Sequence, residues 1–170
     1  MDKNYIAKDH EDRMYQLWKS SGAFQPVDNP QAKPFTIIMP PPNANDPLHI
    51  GHAMFITIED ILIRYHRMNG NAALWLPGAD HAGIETQFVF EKKLKKEGKS
   101  RFDFDRETLF KMIWDYVKQN KDVAVNQMKK IGASADWTRF TFTLDASVQI
   151  HVLKTFERMH KILEERKIKL

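Results

Sequence analysis

At 170 residues, with 42% hydrophobic residues and 4 Trp, 4 Tyr and 11 Phe, the chain has the size and apolar content of one domain with a real core, which excludes disorder. The absence of cysteine excludes a disulfide framework, a thiolate zinc site and an iron–sulfur cluster within these residues; a reducing, cytoplasmic setting and no bound zinc are the expectations. The net charge of +4, from 26 Lys+Arg against 22 Asp+Glu, is compatible with an anionic partner but argues only weakly for one.

The N-terminus has no apolar stretch behind a basic start, so a secretory leader is not expected, and no window approaches the roughly 18 apolar residues of a membrane span. Met14, Leu17 and Trp18 lie at i, i+3 and i+4 and predict the apolar stripe of a first helix, ended by Ser20, Ser21 and Gly22. Phe35 to Met39 is a short β-branched apolar run, predicted as a strand buried on both faces and stopped by Pro40, Pro41 and Pro42. Asp46-Pro47 has the chemistry of a helix start, which predicts a helix over 47–69 with Ile58, Ile61, Leu62 and Tyr65 inward and Gly70 as terminator. Ala72 to Leu76 is a second apolar run, ended by Pro77-Gly78. Strand, helix and strand in this order predict a βαβ unit, whose ligands bind beyond the carboxyl ends of the strands.

Past residue 90 the pattern is helical. The run EKKLKKEGKSR reads as a solvated face, with RNA contact as the sharper alternative. Arg106 to Ile131 predicts one long helix with Leu109, Phe110, Ile113, Trp114, Val117, Val123, Met128 and Ile131 as its apolar residues. Asp145 is placed to cap a last helix whose stripe is Val152, Leu153, Phe156, Met159 and Leu163. Met39, Met54 and Met68 are expected as core filler and Trp137 as a packing anchor. Two strands make a poor sheet alone, so the apolar faces call for further partners.

The chemistry-bearing residues cluster after the two strands: PPPN and His49-Ile50-Gly51-His52 after the first, Gly78-Ala79-Asp80-His81-Ala82-Gly83 after the second. Two histidines three apart on the first helical turns point the same way, near the positive end of the helix dipole where phosphate binds. Gly51 removes a side chain between them, so that a flat base or sugar can lie on backbone. Asp80 faces the same crevice, where it either holds a substrate ammonium or caps a helix. His49, His52, Asp80 and His81 as metal ligands form the competing reading, without the i, i+4 spacing of hydrolytic zinc helices.

PPPN followed by LHIGHA resembles the first signature of the class I aminoacyl-tRNA synthetases. LWLPGADHAGIETQ resembles the valyl branch of that family, as do KKIGASADWTRFTFTLD and the N-terminal EDRMYQLWKSSGAF, so the resemblance runs from about Ile6 to the end in one order. It implies an α/β fold: the first half of a class I synthetase Rossmann-like nucleotide-binding domain (βαβ) plus a helical insertion segment. Residues 1–33 would be an N-terminal helix and tether, 34–90 the first half of the catalytic domain with the histidine motif, and 91–170 a mainly helical connective segment. ATP, with Mg2+ as its substrate complex, would lie against His49, Gly51 and His52, the two histidines being catalytic. The ammonium of L-valine would meet Asp80 and the backbone carbonyls of Pro40 and Pro41, with Pro41 and Asn43 bordering a small aliphatic pocket. The partners implied are tRNA(Val) and the remaining half of the catalytic domain, and no membrane.

Two positions depart from the family pattern: Asp46 stands where a glycine is usual, bringing negative charge near the incoming triphosphate, and Glu85 stands where alanine is common. The lysine-rich second signature and the editing and anticodon-binding domains do not occur in these residues, so the chain is expected to be a fragment or one piece of a split enzyme. Two other functions compete: a small nucleotidyltransferase of the wider histidine-x-glycine-histidine superfamily, and a non-catalytic truncated synthetase paralogue.

Overall fold

The computed structural model describes residues 5–166. Helix α1 (Ala7–Ser20) ends where Gly22 takes a φ of +76°, a conformation that favours glycine. Its anchor is Tyr15 rather than the expected stripe, for Leu17 and Trp18 remain exposed and Met14 is half-buried. The Tyr15 hydroxyl donates to Ala133 O at 2.7 Å and accepts from Trp137 Nε1 at 2.7 Å. Burial pushes its pKa up to about 12, which keeps that donor protonated. Trp137 is thereby a packing anchor, as expected, with a satisfied N–H.

Strand β1 (Pro34–Ile38) and strand β2 (Ala72–Leu76) pair in parallel, Pro34 opposite Ala72 and Ile38 opposite Leu76, with helix α2 (Ile50–Met68) crossing between them. This is the expected βαβ unit. Gly70, with φ +75°, terminates α2. β1 is covered on one face only: Phe35, Ile37 and Met39 turn inward while Thr36 and Ile38 are exposed, Ile38 by 74%. The expectation of two buried faces fails because nothing in the described residues covers the second one. The expected inward stripe of α2 is likewise the outward one. Ile56 and Ile63 are the buried residues, and Ile58, Ile61, Leu62 and Tyr65 are exposed. Met39 is core filler, whereas Met54 and Met68 are exposed.

Asp46-Pro47 does not start α2. Gln127 Oε1 accepts from Leu48 N–H at 2.8 Å, and the helix begins three residues later with His49, in an extended conformation, as its cap. Two further short strands were not foreseen: β3 (Gly78–Ala79) and β4 (Thr141–Phe142), which pair in parallel. They belong to a longer ribbon. The carbonyls of Trp75, Pro77 and Ala79 accept from the N–H groups of Asp136, Thr141 and Thr143 along one edge. On the other edge Leu76 O accepts from Met39 N–H, while Asp80 N–H donates to Pro42 O and Asp80 O accepts from Ala44 N–H. Residues 75–80 thus run between the segment leaving β1 and the segment ending in β4, alternating odd and even residues between the two as an extended chain must.

Helix α3 (Gly83–Lys96) begins directly after this ribbon, so Gly83 belongs to a helix rather than to the loop. It buries Thr86, Phe90 and Leu94 and leaves Lys92, Lys93, Lys95 and Lys96 exposed, the solvated face expected of the basic run. Helix α4 (Arg106–Lys130) is one long helix, as expected, capped by Asp105, which accepts from Thr108 N–H at 2.9 Å. Its buried line is Val117, Asn120, Ala124 and Met128, a different face from the one Phe110, Val123 and Ile131 would define. Beyond this line the chain turns back so that Ala133 to Asp136 pass under β2, all four at 1% exposure or less. Asp60 Oδ1 receives Ser134 N–H at 2.9 Å and Ser134 Oγ at 2.5 Å, and Arg67 holds Ser134 O at 2.8 Å. The main core is Trp75, Met39, Ile56, Ile63, Met128 and Ala135; a second cluster joins Ala44, Ala79, Val117 and Phe142.

The last helix, α5 (Ala146–Glu165), has Asp145 at its cap position, but that carboxylate accepts from Phe142 N–H at 2.8 Å and not from the helix. None of its residues is buried; Leu153 and Phe156 are about as exposed as side chains on a free helix. No helix among the described residues is long and apolar enough to cross a membrane.

Candidate active site

The histidine motif sits on the first turn of α2, where the backbone N–H groups lack helical partners. Gly51 N–H donates to His49 Nδ1 at 3.1 Å, and His49 N–H donates to His52 Nδ1 at 3.3 Å, a capping box built from two imidazoles. Because both Nδ1 atoms accept, the hydrogen-bond network assigns each neutral ring its proton on Nε2. The rings lie 4.1 Å apart, centroid to centroid. Burial, and secondarily the neighbouring His49, holds the His52 pKa below the usual histidine value, which favours the neutral accepting form. The cap therefore leaves two Nε2–H donors at the positive end of a helix. Gly51 serves this cap directly. A Cβ at that position would come within 2.9 Å of His49 Cε1 and 3.1 Å of Nδ1, so a side chain would push the imidazole off the backbone.

His49 also borders a cleft of about 320 Å³ between the start of α2 and the end of α4, lined by Leu48, Ile50, Ala53, Ile56 and Gln127 among others. Another cleft, of about 350 Å³, lies between α1 and the end of α4 around Tyr15 and Lys129 and contains none of the motif residues. The motif chemistry is the better guide to the site.

The second part of the site is the pairing of the two loops. Asn43 and Asp80 are bridged as neighbouring parallel residues. Pro42 is buried while Pro40 and Pro41 are exposed. Gly78 lies beneath Pro41: a Cβ there would meet Pro41 Cβ at 3.7 Å and Thr141 O at 3.2 Å. The Asn43 carboxamide donates through Nδ2 to Glu85 Oε2 at 2.7 Å, which ties the proline loop to the first turn of α3. Asp80 Oδ1 accepts from Ala82 N–H at 3.1 Å and from the Thr143 hydroxyl at 3.0 Å, with His81 Nδ1 at 3.3 Å. Ala82, at φ +46°, is the one non-glycine residue with positive φ among the described residues, so Asp46 in place of a glycine does not force that strain.

The sequence-derived residues thus form two groups: His49, Gly51 and His52 on α2, and Pro40, Pro41, Asn43 and Asp80 where the loops pair. Among the described residues no hydrogen bond joins one group to the other, and no cluster of three or more His, Cys, Asp or Glu side chains could hold a metal ion. His49, His52, Asp80 and His81 do not come together as a ligand set. Sequence reasoning missed Thr143 and the role of Glu85. The first lies in FTLD, a stretch singled out only as a resemblance; its signal is a hydroxyl directly after a two-residue strand.

The model of the family tRNA synthetases class I (I, L, M and V) matches residues 13–166. The chain is similar to Valine--tRNA ligase of Caulobacter vibrioides, 44% identical over 162 residues, which is 95% of this chain and 18% of that protein. It is also similar to the chloroplastic/mitochondrial Valine--tRNA ligase 2 of Arabidopsis thaliana, 47% identical over 150 residues, 88% of this chain and 15% of that protein. The chain therefore spans less than a fifth of the length of the curated relatives it matches. Among solved structures it resembles the LeuRS–tRNA–LeuAMS ternary complex of Agrobacterium radiobacter, with a TM-score of 0.74 and 19% identity over 93% of this chain and 18% of that one. At that identity the likeness speaks for the fold.

Proposed function

The chain belongs to the class I tRNA synthetase family, and on that footing we propose that it is an N-terminal catalytic segment of a valine–tRNA ligase, which activates L-valine with ATP and passes it to tRNA(Val). The observation that carries this reading is the run of Valine--tRNA ligase relatives, 41–47% identical across nearly the whole chain. In this reading residues 1–33 are the entering helix and tether, 34–90 the first half of the nucleotide-binding domain, and 91–170 the connective segment. The remaining half of that domain, outside these residues, completes the site.

The reaction asks for positioning and charge stabilisation. A carboxylate oxygen of valine attacks the α-phosphorus of ATP, the bond from that phosphorus to the bridging oxygen breaks, and pyrophosphate leaves with the Mg2+ that accompanied the nucleotide. The Nε2–H groups of His49 and His52 donate to phosphate oxygens, where negative charge builds. Gly51 keeps the cap in place beneath them. The Asp80 carboxylate receives the ammonium of valine, aided by the carbonyls of Pro40 and Pro41, and Pro41 and Asn43 border the aliphatic side chain. A ribose hydroxyl of tRNA then attacks the carbonyl of the adenylate and AMP leaves.

The test is amino-acid-dependent exchange of pyrophosphate into ATP by the full-length protein, with valine, isoleucine and threonine supplied in turn. Exchange that is strongest with valine is expected. No exchange with any amino acid would overturn the reading in favour of a non-catalytic paralogue.

A further inference from the structure

Asp80 is the carboxylate at the point where the two loops pair, bridged to Asn43, and how it is held decides what it can offer a substrate. Its Oδ1 is committed to Ala82 N–H and to the Thr143 hydroxyl, while Oδ2 accepts no hydrogen bond among the described residues. Thr143 lies more than sixty positions away in the chain. It arrives beside Asp80 because Thr143 N–H donates to Ala79 O at 3.2 Å, the continuation of the β3–β4 pairing.

The Thr143 hydroxyl has one proton and two lone pairs. It accepts from His81 N–H at 2.9 Å and lies 2.6 Å from His81 Nδ1. If the hydroxyl gave its proton to Nδ1, Asp80 would lose its donor and Oδ1 would face an oxygen lone pair at 3.0 Å. If His81 carries its proton on Nδ1, every contact is satisfied: the hydroxyl accepts from His81 N–H and from Nδ1–H and donates to Asp80 Oδ1. Only this order places no two lone pairs in opposition.

We infer that Thr143 is a positioning residue for the amino-acid site: its hydroxyl, fixed by His81, pins Oδ1 of Asp80 and so turns Oδ2 toward the substrate ammonium. The inference rests on the reading of Asp80 given above. A carboxylate on a free rotor would spend part of its time with the wrong oxygen presented and would have to be ordered when the amine binds, which weakens binding. The same hydrogen bonds explain why a β-strand of two residues persists at this position. They tie its end to the loop that carries the charge. ATP makes no use of this carboxylate, so the effect is confined to the amino acid.

The experiment is a double-mutant cycle in the full-length protein, read by pyrophosphate exchange with valine and ATP varied separately. Thr143→Val keeps the side-chain shape and removes the hydroxyl; Thr143→Ser keeps the hydroxyl. Thr143→Val is expected to raise the KM for valine about tenfold with kcat and the KM for ATP changed by less than about twofold. Thr143→Ser is expected to recover most of the loss. Added to Asp80→Asn, Thr143→Val is expected to cost little more, since the carboxylate it orients is gone. A valine KM that rises with Asp80→Asn but not with Thr143→Val would overturn the positioning role and leave the Asp80 reading standing. A valine KM unmoved by either variant would overturn both. Equal losses in Thr143→Val and Thr143→Ser, or equal changes for valine and ATP, would show packing rather than positioning and overturn the inference.

Discussion

The turn at Ala133–Asp136 and helix α5 follow one another in the chain and have opposite fates. The turn consists of small and polar residues, yet it is the most completely buried segment, because α2, β2 and α1 all supply partners for its backbone. α5 carries a continuous apolar stripe, yet none of its residues is fully buried. Apolar content therefore says which surface needs a partner, and hydrogen-bonding partners at long range say which segment has one. The loops of the candidate site stand on the side of the turn: Asp136, Thr141 and Thr143 line the edge of residues 75–80 and fix the loop that carries Asp80.

The contrast can be broken most forcefully from the core. Trp75 is 0% exposed, and its Nε1 donates to Glu59 Oε2 at 2.8 Å. Trp75→Ala is expected to cost about 3–5 kcal/mol, from lost contacts and the cavity left behind. Urea unfolding followed by circular dichroism measures it, and a loss below about 1 kcal/mol would mean that β2 is not the centre of the packed region.

Asp60→Ala is the next test. Removing the acceptor leaves Ser134 N–H buried and unpaired, beside Arg64, whose Nε lies 2.6 Å from Asp60 Oδ2. The expected loss is about 1–3 kcal/mol by the same measurement. An unchanged midpoint would show that the turn is held by packing alone.

On the other side of the comparison, Leu153→Glu with Phe156→Glu is expected to move stability by no more than about 0.5 kcal/mol, as for surface positions. The same pair of changes should reduce self-association of the 170-residue chain, since exposed apolar stripes drive it. Analytical ultracentrifugation of the parent and the double variant distinguishes the two. Equal association would mean that another face, such as the outer side of β1 at Ile38, is responsible.

The smallest effect concerns the histidine cap. His52 has a folded-state pKa lowered from the ordinary value of about 6.5, chiefly by burial. The unfolded chain therefore binds the proton more readily. The cap's contribution is complete above about pH 6.5 and is lost as pH falls through the lowered folded pKa. Amide exchange at His49, whose N–H donates to His52 Nδ1, and the His52 ring shift, followed by NMR, should change together below that pH. A His52 titration at or above the ordinary value would contradict the Nδ1-accepting cap.

Much of this was legible in the sequence. β2 lies over 72–76 as the apolar run and its Pro-Gly ending predict, and Gly70 ends α2 as a glycine there should. The start of α2 was not legible, because Asp-Pro chemistry competes with a tertiary contact from Gln127 and with an imidazole acting as cap, a role seldom read from a motif. The face of α4 was legible only in part, for a related reason: Val117 and Met128 are buried as expected, but the same line contains Asn120 and Ala124, which periodicity of large apolar residues passes over. Asp80, Asn43 and the two histidines were identifiable by type and place, but their partners were not. Thr143 reaches Asp80 only through the return of the chain beside residues 75–80, and Glu85 reaches Asn43 across forty-two positions. Such contacts depend on the path of the chain and leave no local pattern.

The central claim is that Asp80 meets the ammonium of the amino acid while the histidine cap meets ATP. The direct measurement is pyrophosphate exchange by the full-length protein carrying Asp80→Asn, with valine and ATP titrated in turn. Loss of a charge-assisted contact of about 2–4 kcal/mol should lower the valine-dependent specificity constant by roughly 30- to 1000-fold and leave the KM for ATP nearly unchanged. An equal loss in both titrations would make Asp80 no more than the acceptor for Ala82 N–H, and would contradict the account.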